Sequence, residues 1–172
     1  MQALAFWRTV TVDTSDVLGR VFDLFDRLGT RFCVIGGVAV NAYVEPVVTL
    51  DLDLVIASAD VPDVERHLGG FRVERFPHSV NVSADGSDLR IQIQTDPRYQ
   101  AFVDRARPLD VLGLTLPVAS VDDVLQGKLW AVQDPDRRAS KRQKDLADIA
   151  RLIERYPHLR DRVPEGVRTK LL

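Results

Sequence analysis

Residues 48–57 read VTLDLDLVIA, and their alternation leaves little choice of local structure. From Val48 to Leu54 apolar and polar residues change places at every step, which predicts a strand. In a strand, side chains two apart point to the same side. Leu50, Leu52 and Leu54 therefore share one face, and Asp51 and Asp53 share the other. The Cα atoms of the two acids should lie roughly 6–7 Å apart. Two ionised carboxylates that close repel unless a cation lies between them. Mg²⁺ takes oxygen ligands and commonly keeps substrate phosphates in its shell. The same pattern also suits a solvated strand face, and the pair alone favours that plainer reading.

Gly36-Gly37 shifts the balance. The pair lies where the short buried strand RFCVI gives way to the brief helix VAVNAY, fourteen residues before Asp51. Glycines there let the backbone approach a ligand, and the N-terminus of a helix offers N–H groups to phosphate. A glycine pair is also a common tight turn, so it gains its meaning from the acids that follow.

The remaining chain reads as an α/β or α+β domain. Ser15 precedes a helix with Val17, Val21, Leu24, Phe25 and Leu28 on one face. Pro62 opens a helix over 61–68, as a first-turn proline does. FRVERF, HSVNVS and DLRIQIQ are expected strands, with Asp85-Gly86 turning between the last two. LDVLGLTLPVA holds one or two more. Ser120 caps a helix running to about Gln133, and a second helix spans Ser140 to Tyr156, ended by Pro157. A length of 172 residues suits one domain, 1–172, with its core over about 15–118 and C-terminal helices over about 120–156. Trp7, Phe22, Phe25 and Trp130 are expected to serve packing.

Composition narrows the function classes. Net charge is −2, so nucleic acid could be held only by a local patch. No apolar run is long enough for a bilayer, and MQALAFWRTV lacks the form of a secretory signal. A single cysteine, Cys33, suits a reducing cytoplasm. His67, His78 and His158 are scattered, with no zinc pattern, and there is no GxSxG, Cys–His or Walker A signature.

VIGGVAVNAY…PVVTLDLDLVI resembles the core motif of the polymerase-beta-like nucleotidyltransferase superfamily. The chain is most similar there to AbiEii-type toxins and related small bacterial nucleotidyltransferases. LQGKLWA, with Lys128, and KDLADIARL, with Lys144, Asp145 and Asp148, resemble that group's C-terminal motifs. The resemblance covers about 32–57 and 117–153. It implies a nucleotidyltransferase fold, a small mixed sheet flanked by helices with two C-terminal helices. It also implies Mg²⁺-dependent transfer of a nucleotide from an NTP to an acceptor, often RNA. On that reading Asp51 and Asp53 hold the metal, Gly36 and Gly37 cradle the triphosphate, Lys128 contacts phosphate and Asp145 orients it or adds a carboxylate. Two departures stand out. Val47 sits where the family often has arginine, and Gln92 or Gln94 sits where the superfamily has a third carboxylate. Asp96 lies just beyond that strand.

The C-terminal helices carry information of their own. Lys128 falls on the apolar stripe of Val121, Val124, Leu125, Leu129 and Val132, so it either reaches a cleft or snorkels to water. Asp145 borders the stripe of Leu146, Ile149 and Ile153, which makes a buried Lys128–Asp145 pair an expectation. Asp148 is expected to pair with Lys144 one turn earlier. Residues 136–144, DRRASKRQK, hold five cations among nine at a helix start, where positive charge opposes the macrodipole. They face phosphate or RNA, or are simply solvated. Asn41 and Tyr43 either line the cleft or, for Tyr43, pack in the core. A second function class fits the glutamines: a module of this fold that binds nucleotide, RNA or protein without turnover. Toxin or antitoxin biology is compatible with either. The NTP, the acceptor and the oligomeric state are not set by the sequence.

Overall fold

The computed structural model describes residues 15–111 and 113–171. Trp7 and the MQALAFWRTV segment lie outside the described residues. The strands are β1 (Phe32–Ile35), β2 (Asp51–Ile56), β3 (Arg72–Phe76), β4 (Ser79–Ser83), β5 (Arg90–Gln94), β6 (Arg107–Val111) and β7 (Leu114–Val118). They form one sheet in the order β3-β4-β5-β2-β1-β7-β6. β2 lies antiparallel to β1 and parallel to β5, and β1 and β7 are also parallel, so the sheet is mixed as expected. The helices are α1 (Val17–Leu28), α2 (Gly36–Tyr43), α3 (Val61–Arg66), α4 (Gln100–Arg105), α5 (Val121–Gln133), α6 (Ala139–Arg155) and α7 (Glu165–Arg168).

β2 lies at the heart of the sheet because of its alternation. Leu52 and Leu54 are fully buried, and each such side chain contributes roughly 1.5–3 kcal/mol. Leu50 departs from expectation: it is 44% exposed, and the strand begins one residue later. β5 offers its first partner, Arg90, opposite Asp51. The preceding loop is held elsewhere, by an Asn41 side chain that donates to the Val47 carbonyl and accepts from its N–H. Those bonds hold Val47 off the sheet, while the Leu50 carbonyl still accepts from the Arg90 N–H at 3.2 Å.

α2 packs against β1 and β2 and on α5, and α5 packs on α6. The Ser120 hydroxyl accepts from the Asp123 N–H, the expected N-cap of α5. LDVLGLTLPVA resolves into two strands, β6 and β7. α4, the 3-10 turn before it (Pro97–Tyr99) and the C-terminal segments after Tyr156 have no counterpart in the sequence reading. Asp96 accounts for the first of these: its carboxylate accepts from the Arg98 N–H and caps the turn. Trp130 packs face to face with Phe102, rings 5.8 Å apart, so its role in packing stands. No helix among the described residues is long and apolar enough to cross a membrane.

Candidate active site

The turn between β1 and α2 brings backbone and acid together. Gly36 has φ +66°, and a Cβ there would lie 2.1 Å from Asp53 Oδ2. Only a glycine fits at that approach. Gly37, one residue on, sits in ordinary helical space, with Thr49 Oγ1 3.8 Å from where its Cβ would be.

Asp51 and Asp53 point to one side of β2 and line one cleft. Parallel pairing places Arg90 beside Asp51 and Gln92 beside Asp53. The Arg90 guanidinium donates to Asp51 Oδ1 at 2.9 and 2.7 Å, and Lys141 Nζ donates to Oδ2 at 2.6 Å. Burial pushes Asp51 up, but these two cations outweigh it and hold its carboxyl below the usual range. Asp53 goes the other way. Burial raises its carboxyl above the ordinary value, with Lys128 opposing and Asp51 reinforcing. No donor among the described residues reaches the Asp53 carboxylate.

Lys128 comes in from α5 and is buried. Its Nζ lies 2.9 Å from Asp145 Oδ1 and 2.8 Å from Asp148 Oδ2. Burial would lower its proton affinity, but Asp148 and Asp145 outweigh that and raise it. Asp145, 1% exposed, also accepts from Arg137 at 2.8 Å. Asp148 does not pair with Lys144 as expected. It is taken by Lys128 and by Arg151, at 2.8 Å each, because it turns inward with Asp145 while Lys144 lines the cleft.

Two hollows meet at these groups. Asp51, Asp53, Lys128, Arg137, Lys141 and Asp145 line both. The smaller is closed by Gly37, Asn41, Val47, Thr49 and Arg151. The larger, about 700 Å³, has Gly36, Asn81, Gln92 and Gln94 on the sheet side and Trp130 and Gln133 opposite. The residues singled out from the sequence thus share one cleft. Asn41 lines it, whereas the Tyr43 hydroxyl donates to the Ala119 carbonyl in the core. Asp96 is engaged by Arg98 at 2.8 Å. Sequence reasoning did not single out Arg90; it met Arg137 and Lys141 only as part of a basic run, and Arg151 only as part of the charged face it shares with Lys144, Asp148 and Arg155.

The donor set is hard oxygen, which suits Mg²⁺ rather than zinc or copper. Among the described residues no group of three or more His, Cys, Asp and Glu side chains is gathered for a metal. Asp51 and Asp53 fit an ion that draws its remaining oxygens from substrate phosphates. Burial pushes the Cys33 thiol up to about 12, which removes it as a nucleophile.

The model of the family described as nucleotidyl transferase AbiEii toxin, type IV TA system, matches residues 22–170. No curated protein matches the chain significantly. Among solved structures, the fold is similar to ANT(2'')-Ia in complex with adenylyl-2''-tobramycin, with TM-score 0.59 and 15% identity, over 91% of this chain and 97% of that one. It is also similar to the lincosamide antibiotic adenylyltransferase LnuA bound to lincomycin, with TM-score 0.55 and 14% identity, over 81% and 98%. A nucleotidyltransferase-like protein of Thermotoga maritima gives TM-score 0.52 and 17% identity, over 77% and 91%. These likenesses show a nucleotidyltransferase fold. The family match, covering most of the chain, shows that it belongs to the AbiEii nucleotidyl transferase family.

Proposed function

We propose that this AbiEii-family chain transfers a nucleotidyl group from an NTP to an acceptor hydroxyl, RNA being the first acceptor to test. The observation that carries the reading is the meeting of Asp51 and Asp53 from β2 and Gly36 at the start of α2 with Lys128 and Asp145 from the C-terminal helices in one cleft. Asp51 and Asp53 would hold Mg²⁺, whose chemistry when bound is to neutralise charge on the reacting phosphates. Gly37 and the α2 backbone would face the triphosphate. Lys128, fixed by Asp145 and Asp148, would add a positive field beside Asp53, and Asp145 would keep that lysine in place. The acceptor oxygen would attack the α-phosphorus in line, and pyrophosphate would leave. Positioning and charge supply most of such a rate. A cytoplasmic setting fits the single buried cysteine.

Gln92 and Gln94 favour a second reading. They lie on β5, Gln92 beside Asp53, on the strand expected to carry the superfamily's third carboxylate, and an amide cannot take the acceptor's proton. A chain that binds nucleotide, RNA or protein without turnover would keep the same cleft.

The test is incubation with labelled NTPs, Mg²⁺ and total RNA. Label should appear on an acceptor, and Asp51→Asn should abolish it. Binding of Mg²⁺–NTP without transfer would support the second reading. Neither transfer nor binding would overturn both. If the labelled acceptor is an RNA needed for growth, a toxin role follows, and induced expression of the wild type, but not of Asp51→Asn, should arrest cells.

A further inference from the structure

Each oxygen of Asp51 is already taken. Arg90 holds Oδ1 and Lys141 holds Oδ2, at 2.7 and 2.6 Å. Oδ2 keeps an open lone pair, but a divalent cation that uses it sits against both cations and competes with them for the same carboxylate charge. Neither is locked in place. Their side chains are 50% and 33% exposed, and both line the cleft. Lys128 differs: it is 11% exposed and gripped by two carboxylates, so it has nowhere to go. Arg137 is tied to Asp145, not to Asp51.

A bare divalent ion would meet two cations beside it that had lost part of their anion. Like charges so close in a partly desolvated cleft repel strongly. A polyphosphate changes the balance. It brings oxyanions to which a freed guanidinium and ammonium can turn, and both groups bind phosphate well. The position of Lys141 fits this exchange. It lies in the first turn of α6, where a cation opposes the macrodipole, so helix stability does not explain it.

We propose that Lys141 and Arg90 are a transferable counter-ion, neutralising Asp51 until a polyphosphate takes them over, so that divalent metal and polyphosphate bind together rather than in succession. This rests on the reading of Asp51 and Asp53 as metal holders. It assigns both cations to the recognition of polyphosphate, a nucleoside triphosphate included.

The experiment uses the full chain and two probes. Mn²⁺ alone is titrated by electron paramagnetic resonance, and preformed Mn²⁺–tripolyphosphate by calorimetry. The wild type should bind Mn²⁺ alone weakly. Lys141→Ala should bind Mn²⁺ alone about tenfold tighter and Mn²⁺–tripolyphosphate about tenfold more weakly, the worth of one charge-assisted hydrogen bond. Arg90→Gln should move both affinities in the same directions, and Lys141→Arg should stay near wild type. If Lys141→Ala and Arg90→Gln leave Mn²⁺ affinity unchanged, or weaken both probes together, the exchange is wrong and the cations merely buttress the site. Asp51→Asn separates this from failure of the underlying reading. If, added to Lys141→Ala, it leaves the affinity for Mn²⁺ alone unchanged, the metal is not at Asp51, and the functional reading falls with the proposal.

Discussion

Two adjacent glycines should respond in opposite ways to the same methyl group. Gly36→Ala puts a Cβ 2.1 Å from Asp53 Oδ2, 2.9 Å from its Cγ and 3.0 Å from its Cβ, at φ +66°. The left-handed conformation costs an alanine roughly 1–2 kcal/mol. β2 cannot retreat, because β1 and β5 pair it on both sides. The Asp53 side chain must therefore turn off its rotamer, at roughly 0.5–1.5 kcal/mol. Together these give about 2–3 kcal/mol, a fall in Tm of roughly 5–10 °C for a chain of this size. Gly37→Ala meets only Thr49 at 3.8 Å, an ordinary contact, and has no positive φ to strain. In a helix it should gain up to about 1 kcal/mol, raising Tm by roughly 2–4 °C. Thermal unfolding by circular dichroism reads both. Titration with Mn²⁺–tripolyphosphate adds the functional half: Gly36→Ala should bind it more weakly because Asp53 is displaced, and Gly37→Ala should keep it. A Gly36→Ala protein that melts within a degree of wild type would refute the close-approach argument. So would a Gly37→Ala protein damaged as much as Gly36→Ala.

Lys128→Met should destabilise the chain by about 3 kcal/mol, the low end for breaking a buried ion pair, since Asp145 and Asp148 each keep an arginine. The raised proton affinity of Lys128 gives the sign with pH: its stabilisation is complete below the ordinary lysine value of 10.5 and fades only as pH rises through the higher folded value. The gap in Tm between wild type and Lys128→Met should thus be constant through neutral pH, and a gap that closes there would disprove the pairing. Asp53→Asn should do the reverse. Its carboxyl is raised by burial, so its ionised form costs stability in full above the folded value, and that cost shrinks as pH falls below it and is gone below the ordinary value of 3.8. At neutral pH the variant should gain about 1 kcal/mol while losing affinity for Mn²⁺–tripolyphosphate, and a lower Tm than wild type would show that the Asp53 charge is compensated after all.

What the sequence made legible was whatever a short range could decide. The period of two in VTLDLDLVIA put Leu52 and Leu54 inside and both acids on one side, because a pleated strand allows nothing else. Ser120 announced α5, and the helical stripe brought Asp145 to the edge of the core. Leu50 broke the pattern because the start of a strand depends on what its neighbours offer, and β5 begins at Arg90. α4 and the C-terminal turns were missed because they are short and are completed by packing rather than by periodicity.

The partners of long charged side chains were the hardest to read, for the same reason at greater range. A short aspartate on a known face has one direction to point, whereas lysine and arginine stems can reach several acids. Lys144 and Asp148 are well spaced for a pair, yet Asp148 chose Lys128 across the helix interface, where burial strengthens the attraction. Lys141 found Asp51 ninety residues away in sequence. The basic run did hold one decisive clue. Cations at the start of a helix are unfavourable alone, so some anion had to be close. The chain supplies that anion itself, in Asp51 for Lys141 and Asp145 for Arg137. Asp145 is buried and keeps its arginine, but Asp51 opens on the cleft, so a competing polyphosphate can reach its lysine. The same dipole argument that marked the run as more than solvated surface therefore leads, once the fold is known, to the residue whose partner is exchangeable.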